Sequence, residues 1–204
     1  FFTGKYHKPM RESRIFMFVD MKDSTTIAET VGSATYFELL QSYYYDFSNA
    51  IINNRGEVYQ YVGDEIVITW KLHKGIRNNY CVRCFYDMQK ALQKKAKSYK
   101  KKYGLVPQFK AGMHCGTVTT GEIGALKKDI FFTGDVLNTT ARILGLCSTY
   151  DEDLLLSKTM LNQLSLGDAY STKDLGKPQL RGKSNSIAIV SVVQNPEKRK
   201  NKTR

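Results

Sequence analysis

The run Ile15-Phe16-Met17-Phe18-Val19 is apolar without alternation and stops at Asp20, the pattern of a buried strand at about 14–20. Helical spacing takes over from about 24 to 54, with a cap at Asp23 or Ser24 and a break near Gly32-Ser33. Val58-Tyr59-Gln60-Tyr61-Val62 and Ile66-Val67-Ile68-Thr69-Trp70 flank Gly63-Asp64, which predicts a hairpin. Ile76, Tyr80, Phe85, Met88 and Leu92 recur as on one helix face and predict a helix at about 76–102. Strands are predicted near 108–116, 117–123 and 129–133, then a helix from about Asp135 to near Cys147. A short strand Leu154-Leu155-Leu156, a helix at 157–165 and strands near 170–176 and 187–193 complete the series. This order predicts an α+β fold around a mostly antiparallel sheet. No internal repeat is present.

The same pattern carries the first chemistry. Asp20 closes one strand and Asp64 sits in Tyr61-Val62-Gly63-Asp64-Glu65 between two others, so each carboxylate is carried at a strand end. Two carboxylates so placed can hold a pair of divalent ions about 4 Å apart, which activate an attacking hydroxyl and neutralise a leaving pyrophosphate in one in-line displacement. The expectation is phosphoryl chemistry on a nucleotide.

Composition sets bounds. The chain has 204 residues, 42% hydrophobic and 12% aromatic, the size of one domain with a real core. No stretch approaches the roughly 18 apolar residues of a membrane span, and no secretory leader opens the chain. It begins Phe1-Phe2, with Lys5, Lys8 and Arg11 close behind, which fits excision from a longer protein whose upstream membrane or sensor region ends in basic residues. Cys81, Cys84, Cys115 and Cys147 lack the spacing of a disulfide framework or a zinc site, so a reduced, cytoplasmic domain is expected, with Cys81 and Cys84 as core residues. His114 alternates within Phe109–Cys115 and reads as a hydrogen-bonded sheet residue; His7 and His73 are equally plain. The net charge of +12 raises nucleic-acid binding, but its distribution argues against it. Six lysines crowd into 94–102 at a predicted helix end, and five more basic residues fill 198–204; both read as solvated surface.

Four segments, taken together, resemble a known family. Phe18-Val19-Asp20-Met21-Lys22-Asp23-Ser24-Thr25, Tyr61-Val62-Gly63-Asp64-Glu65, Gly112-Met113-His114-Cys115-Gly116-Thr117-Val118-Thr119-Thr120-Gly121-Glu122-Ile123-Gly124 and Gly134-Asp135-Val136-Leu137-Asn138-Thr139-Thr140-Ala141-Arg142 resemble, in order and spacing, the class III nucleotide cyclase catalytic domain. The likeness covers about residues 11–194, leaving a lead-in at 1–10 and a basic tail at 195–204 that is expected to be disordered.

The resemblance implies a ferredoxin-like cyclase fold and a homodimer with two active sites, each built from both chains. It implies that Asp20 and Asp64 bind two Mg2+ or Mn2+ ions, with the Met21 carbonyl completing one shell. From the other chain, Asn138 would orient the ribose and Arg142 would stabilise charge on the α-phosphate. Residues at i and i+4 share a helix face, so both can aim at one substrate. Leu180-Arg181-Gly182 looks like the family's late Leu-Lys-Gly, and Arg181 keeps the cation that grips the triphosphate. The activity implied is conversion of a nucleoside triphosphate to its 3′,5′-cyclic monophosphate.

The base is less fixed. Adenine-selective members carry Lys and Asp or Thr where this chain has Gln60 and Phe131. Gln60 offers a donor and an acceptor, and Phe131 offers no hydrogen bond. ATP is the favoured substrate on family frequency, a pyrimidine triphosphate is the alternative, and a shifted register would bring Thr133 or Asp129 to the base instead. The Glu and Cys typical of guanylate selectivity are absent. Among rival classes, a regulatory pseudocyclase would have lost a metal aspartate or the Asn/Arg pair, and this chain keeps all four. A diguanylate cyclase would need a Gly-Gly-Asp/Glu-Glu-Phe hairpin, and a single-strand binder would need aromatics interleaved with the basic runs.

Overall fold

The computed structural model describes residues 8–124, 129–179 and 186–196. In chain order the strands are β1 (Met10–Met21), β2 (Glu57–Val62), β3 (Glu65–Lys71), β4 (Phe109–Ile123), β5 (Asp129–Thr133), β6 (Leu154–Ser157), β7 (Tyr170–Asp174) and β8 (Ile189–Gln194). The helices are α1 (Ser24–Val31), α2 (Ser33–Asn53), α3 (Leu72–Ile76), α4 (Tyr80–Lys94), α5 (Ala96–Tyr103), α6 (Asp135–Tyr150) and α7 (Lys158–Leu161). The strands form one sheet in the order β2-β3-β1-β4-β6-β8-β7, with β5 paired to β4. Among the described residues the β4–β6 pair is parallel and the other strand pairs are antiparallel.

β1 has no alternation because both of its faces are covered. Ile15, Met17, Val19 and Met21 enter one core with Leu39, Tyr43 and Phe47 of α2 and Phe85 and Met88 of α4. Phe16 and Phe18 enter a second core with Val136, Ile143 and Leu144 of α6 and Phe132 of β5. The α+β fold with a mostly antiparallel sheet flanked by helices is as expected.

Several expected boundaries change. β1 starts at Met10, four residues before the predicted strand. The helix expected at 76–102 is instead α3, a turn, α4 and α5. Asn78 and Asn79 take left-handed φ of 51° and 53° there, a conformation that Asn tolerates and that ends a helix. The strands expected at 108–116 and 117–123 are a single strand, β4, because Gly116 makes room for a helix side chain and does not turn the chain. The helix expected at 157–165 is the single turn α7, entered through Ser157, whose hydroxyl accepts from the Met160 amide. Asp23 precedes α1 at φ 55° and its side chain makes no capping bond, although the break at Gly32 stands as expected.

All four cysteines are buried and free. His114 lies on β4 with Nδ1 2.7 Å from the Ser157 hydroxyl, and the lysines of 94–102 are exposed, both as expected. His7, most of the 1–10 lead-in, Arg181 and 197–204 of the tail lie outside the described residues. Among the described residues no helix is long and apolar enough to cross a membrane.

Candidate active site

Strand register brings the two aspartates together. On β1, Asp20 lies opposite Glu65 of β3, and Asp64 is the residue just before Glu65 in the two-residue turn that joins β2 to β3. Gly63 takes φ 61° at the first central position of that turn, where a side chain would be strained. Burial first, and then the neighbouring Asp64 carboxyl, push the Asp20 carboxyl up to about 6, against the pull of Lys110. Glu65 is raised as well, by burial first and then by Asp20 and Asp64. The negative charge here exceeds what the local protein neutralises.

Two residues that the sequence reading passed over belong to this cluster. Lys110 is paired with Asp20 across β1 and β4, and its Nζ lies 3.5 Å from Asp20 Oδ2 and 3.0 Å from Ser148 Oγ. The Tyr44 hydroxyl donates to the Gly63 carbonyl at 2.7 Å, and its ring centroid is 4.6 Å from that of Tyr61. Lys110 was open to inference, since an antiparallel register of β1 on β4 sets it opposite Asp20. Tyr44 carried no such signal, because helix periodicity does not say which hairpin a helix will meet.

The pair fits a hard divalent cation. Two neighbouring carboxylates repel unless a cation lies between them, and an all-oxygen donor set suits Mg2+ or Mn2+. Among the described residues no cluster of three or more His, Cys, Asp or Glu side chains forms a complete cage. Further ligands would therefore be backbone carbonyl, water or substrate oxygens. Met21 follows directly, with its side chain sealed in the core, so the backbone beside Asp20 is rigidly held.

Asn138 and Arg142 lie elsewhere. Both project from α6 on the side away from the sheet, Asn138 exposed and Arg142 half-buried, and neither bonds to another described residue. Val136 packs where a Cβ on Gly116 would be, 2.7 Å from its Cγ2, and Gly116 pairs with Arg14. Arg14 precedes Asp20 by six residues, so the start of α6 stands roughly 20 Å along the sheet from that carboxylate. The body of α6, about 10 Å across, also separates Arg142 from the sheet. In this chain Asn138 and Arg142 thus face away from the surface that carries the carboxylate pair.

Gln60 and Phe131 are both exposed. The β2–β3 register shifts between Val58 and Gln60, a bulge at Tyr59 that turns Tyr59 and Gln60 to the same face. The Tyr59 ring packs 4.9 Å from Phe132, whereas Phe131 alternates to the other side of β5 and is 42% exposed. The hollow bordered by Lys22, Asp23, Lys110 and Ser148 measures about 200 Å³. That is smaller than the roughly 300–1,000 Å³ of ordinary ligand sites.

Comparison with known proteins bears on this arrangement. Adenylate cyclase 2 of Rhizobium meliloti (strain 1021) is 35% identical over 190 residues, covering 93% of this chain and 52% of that protein. The chain thus spans about half the length of that curated relative. A bacterial light-regulated adenylyl cyclase shares the fold at TM-score 0.80 and 21% identity, covering 91% of this chain and 53% of the other. A guanylyl cyclase does so at 0.76 and 20%, covering 94% and 96%. Fold likeness therefore extends to adenylyl and guanylyl enzymes alike. Residues 7–192 match the family described as adenylate and guanylate cyclase catalytic domain, and the chain belongs to that family.

Proposed function

We propose that two copies of this chain assemble into an enzyme that converts a nucleoside triphosphate, ATP in the first instance, to its 3′,5′-cyclic monophosphate and pyrophosphate. The observation that carries this reading is that strand register sets Asp20 beside Asp64 while Asn138 and Arg142 stand on the outer face of α6 in the same chain. A second copy would complete what each chain separates.

Asp20 and Asp64 would hold two divalent ions, with the Met21 carbonyl as a further ligand. Cations bound there would supply charge that favours the ribose 3′-alkoxide and neutralises pyrophosphate. The 3′-hydroxyl gives its proton to water and its oxygen bonds to the α-phosphorus as the bond to the β-phosphate oxygen breaks, releasing pyrophosphate. Asn138 of a second copy orients the ribose, and its Arg142 stabilises charge on the α-phosphate. Lys110, already beside Asp20, adds a positive charge near the triphosphate. Arg181 is assigned the same task from its sequence position.

ATP is supported by the adenylate cyclase name of the 35%-identical relative. Phe131, apolar and 42% exposed, favours a pyrimidine triphosphate as the second reading, because it supplies volume and stacking but no hydrogen bond to a purine edge. Purified protein incubated separately with ATP, GTP, CTP and UTP, each with Mg2+ and with Mn2+, tests both. Release of pyrophosphate with a cyclic product supports the enzyme, and the preferred base decides between the readings. Nucleotide binding without pyrophosphate release would mark a regulatory module and overturn the proposal.

A further inference from the structure

We propose that Tyr44 is a positioning residue for the carboxylate pair, acting through the backbone of the hairpin turn; this rests on the reading of Asp20 and Asp64 as cation ligands. Asp64 occupies a two-residue turn on β2, the edge strand of the sheet, and Tyr61 and Val62 beside it are each 53% exposed. A turn at a sheet edge has little packing of its own to fix its orientation. Tyr44 of α2 supplies that constraint from outside the strand pair.

The Tyr44 hydroxyl donates at 2.7 Å to the Gly63 carbonyl, which belongs to the peptide group joining Gly63 to Asp64. Holding this oxygen fixes the plane of that peptide, and with it the direction in which the Asp64 Cα–Cβ bond leaves the turn. The ring reinforces the bond by packing 4.6 Å from Tyr61 on one side and 5.4 Å from Tyr43 on the other. Tyr43 is itself buried against Phe47, so the chain of contacts runs from the helix core to the turn. Burial and the Asp64 charge hold the Tyr44 phenol far above the working range, and it remains a donor throughout. The Tyr44→Phe form keeps the ring and loses only the bond.

The consequence is specific to the cation. An Asp64 free to swing would meet Asp20 for less of the time, and a cation needs both carboxylates at once. Nucleotide contacts that bypass the turn would be untouched.

The test is Mn2+ binding to the purified protein without nucleotide, followed by electron paramagnetic resonance, for the wild type, Tyr44→Phe and Asp64→Asn. Tyr44→Phe is expected to weaken Mn2+ binding by about 5- to 10-fold, the effect of one lost hydrogen bond. Amide exchange at residues 63–65 should quicken while the far-ultraviolet circular dichroism stays the same. Wild-type Mn2+ affinity in Tyr44→Phe, with binding lost in Asp64→Asn, would overturn the role of Tyr44 alone. Unchanged binding in Asp64→Asn would instead remove the cation reading on which it rests.

Discussion

Asp20 is a carboxyl whose surroundings raise the pH at which it ionises. Its value rises from 3.8 to about 6 in the folded chain, so between those limits the native state holds a proton that the unfolded state has released. Stability contributed by this group therefore falls as pH rises through that window. In metal-free buffer, Asp20→Asn is expected to unfold at a higher temperature than the wild type at pH 7.5, and the gap should close by about pH 4, as thermal melts across pH 4–7.5 would record. Mn2+ should raise the wild-type melting temperature at pH 7.5 and leave Asp20→Asn unmoved. The same substitution, or Asp64→Asn, should lower cyclase turnover by at least about 100-fold, comparable to removing a transition-state donor. The aspartates were legible because Asp20 ends a strong apolar run and Asp64 sits in the turn between two strands. Lys110 could be inferred only once β1 was paired with β4, and Tyr44 not at all, since a residue's partners beneath a helix depend on packing that no local pattern encodes.

At the scale of elements, the meeting of β4 with α6 fixes the geometry. A Cβ on Gly112 would lie 2.3 Å from the Leu144 amide nitrogen and 2.9 Å from the Thr140 carbonyl oxygen, so strand and helix backbones touch there. Gly116, four residues on and facing the same side, meets only the Val136 side chain. Gly112→Ala must push backbone apart and is expected to cost at least about 1–3 kcal/mol, more than Gly116→Ala, as denaturant unfolding of the two variants would show. This contact also explains an error of reading. Strands were expected to divide after 116, but β4 runs on, and the glycine there marks close approach of another element. The hairpin and the break at Gly32 were legible from turn residues and spacing. The breaks at Asn78-Asn79 and at Lys95 were not, because the apolar stripe from Cys81 to Leu92 keeps helical phase beside segments that pack differently.

For the whole molecule, the proposal turns on one chain carrying its carboxylate pair and its Asn138/Arg142 pair on different faces. α6 lies across the sheet with Asn138 and Arg142 turned outward, whereas Asp20 and Asp64 gather at the far end of β1. Ile123, Phe131, Tyr61 and Val62 are exposed apolar residues on the β4–β5 and β2–β3 ribbons, surface that a second copy can cover. If each site draws its carboxylates from one chain and its Asn/Arg pair from the other, two inactive variants should rescue one another. In a heterodimer of Asp20→Asn with Arg142→Ala, one site carries both defects and the other carries neither. Random re-association of equal amounts should then restore about a quarter of wild-type activity, since half the dimers are mixed and each has one intact site of two. Each variant assayed alone should stay near background at the same protein concentration. Activity of the mixture no greater than the sum of its parts, under conditions where subunits demonstrably exchange, would place all four residues in one chain's site and contradict the separation set by α6. If the intact site exists only in the dimer, specific activity of the wild type should also fall on dilution through the dissociation range, in step with the loss of dimer seen by sedimentation.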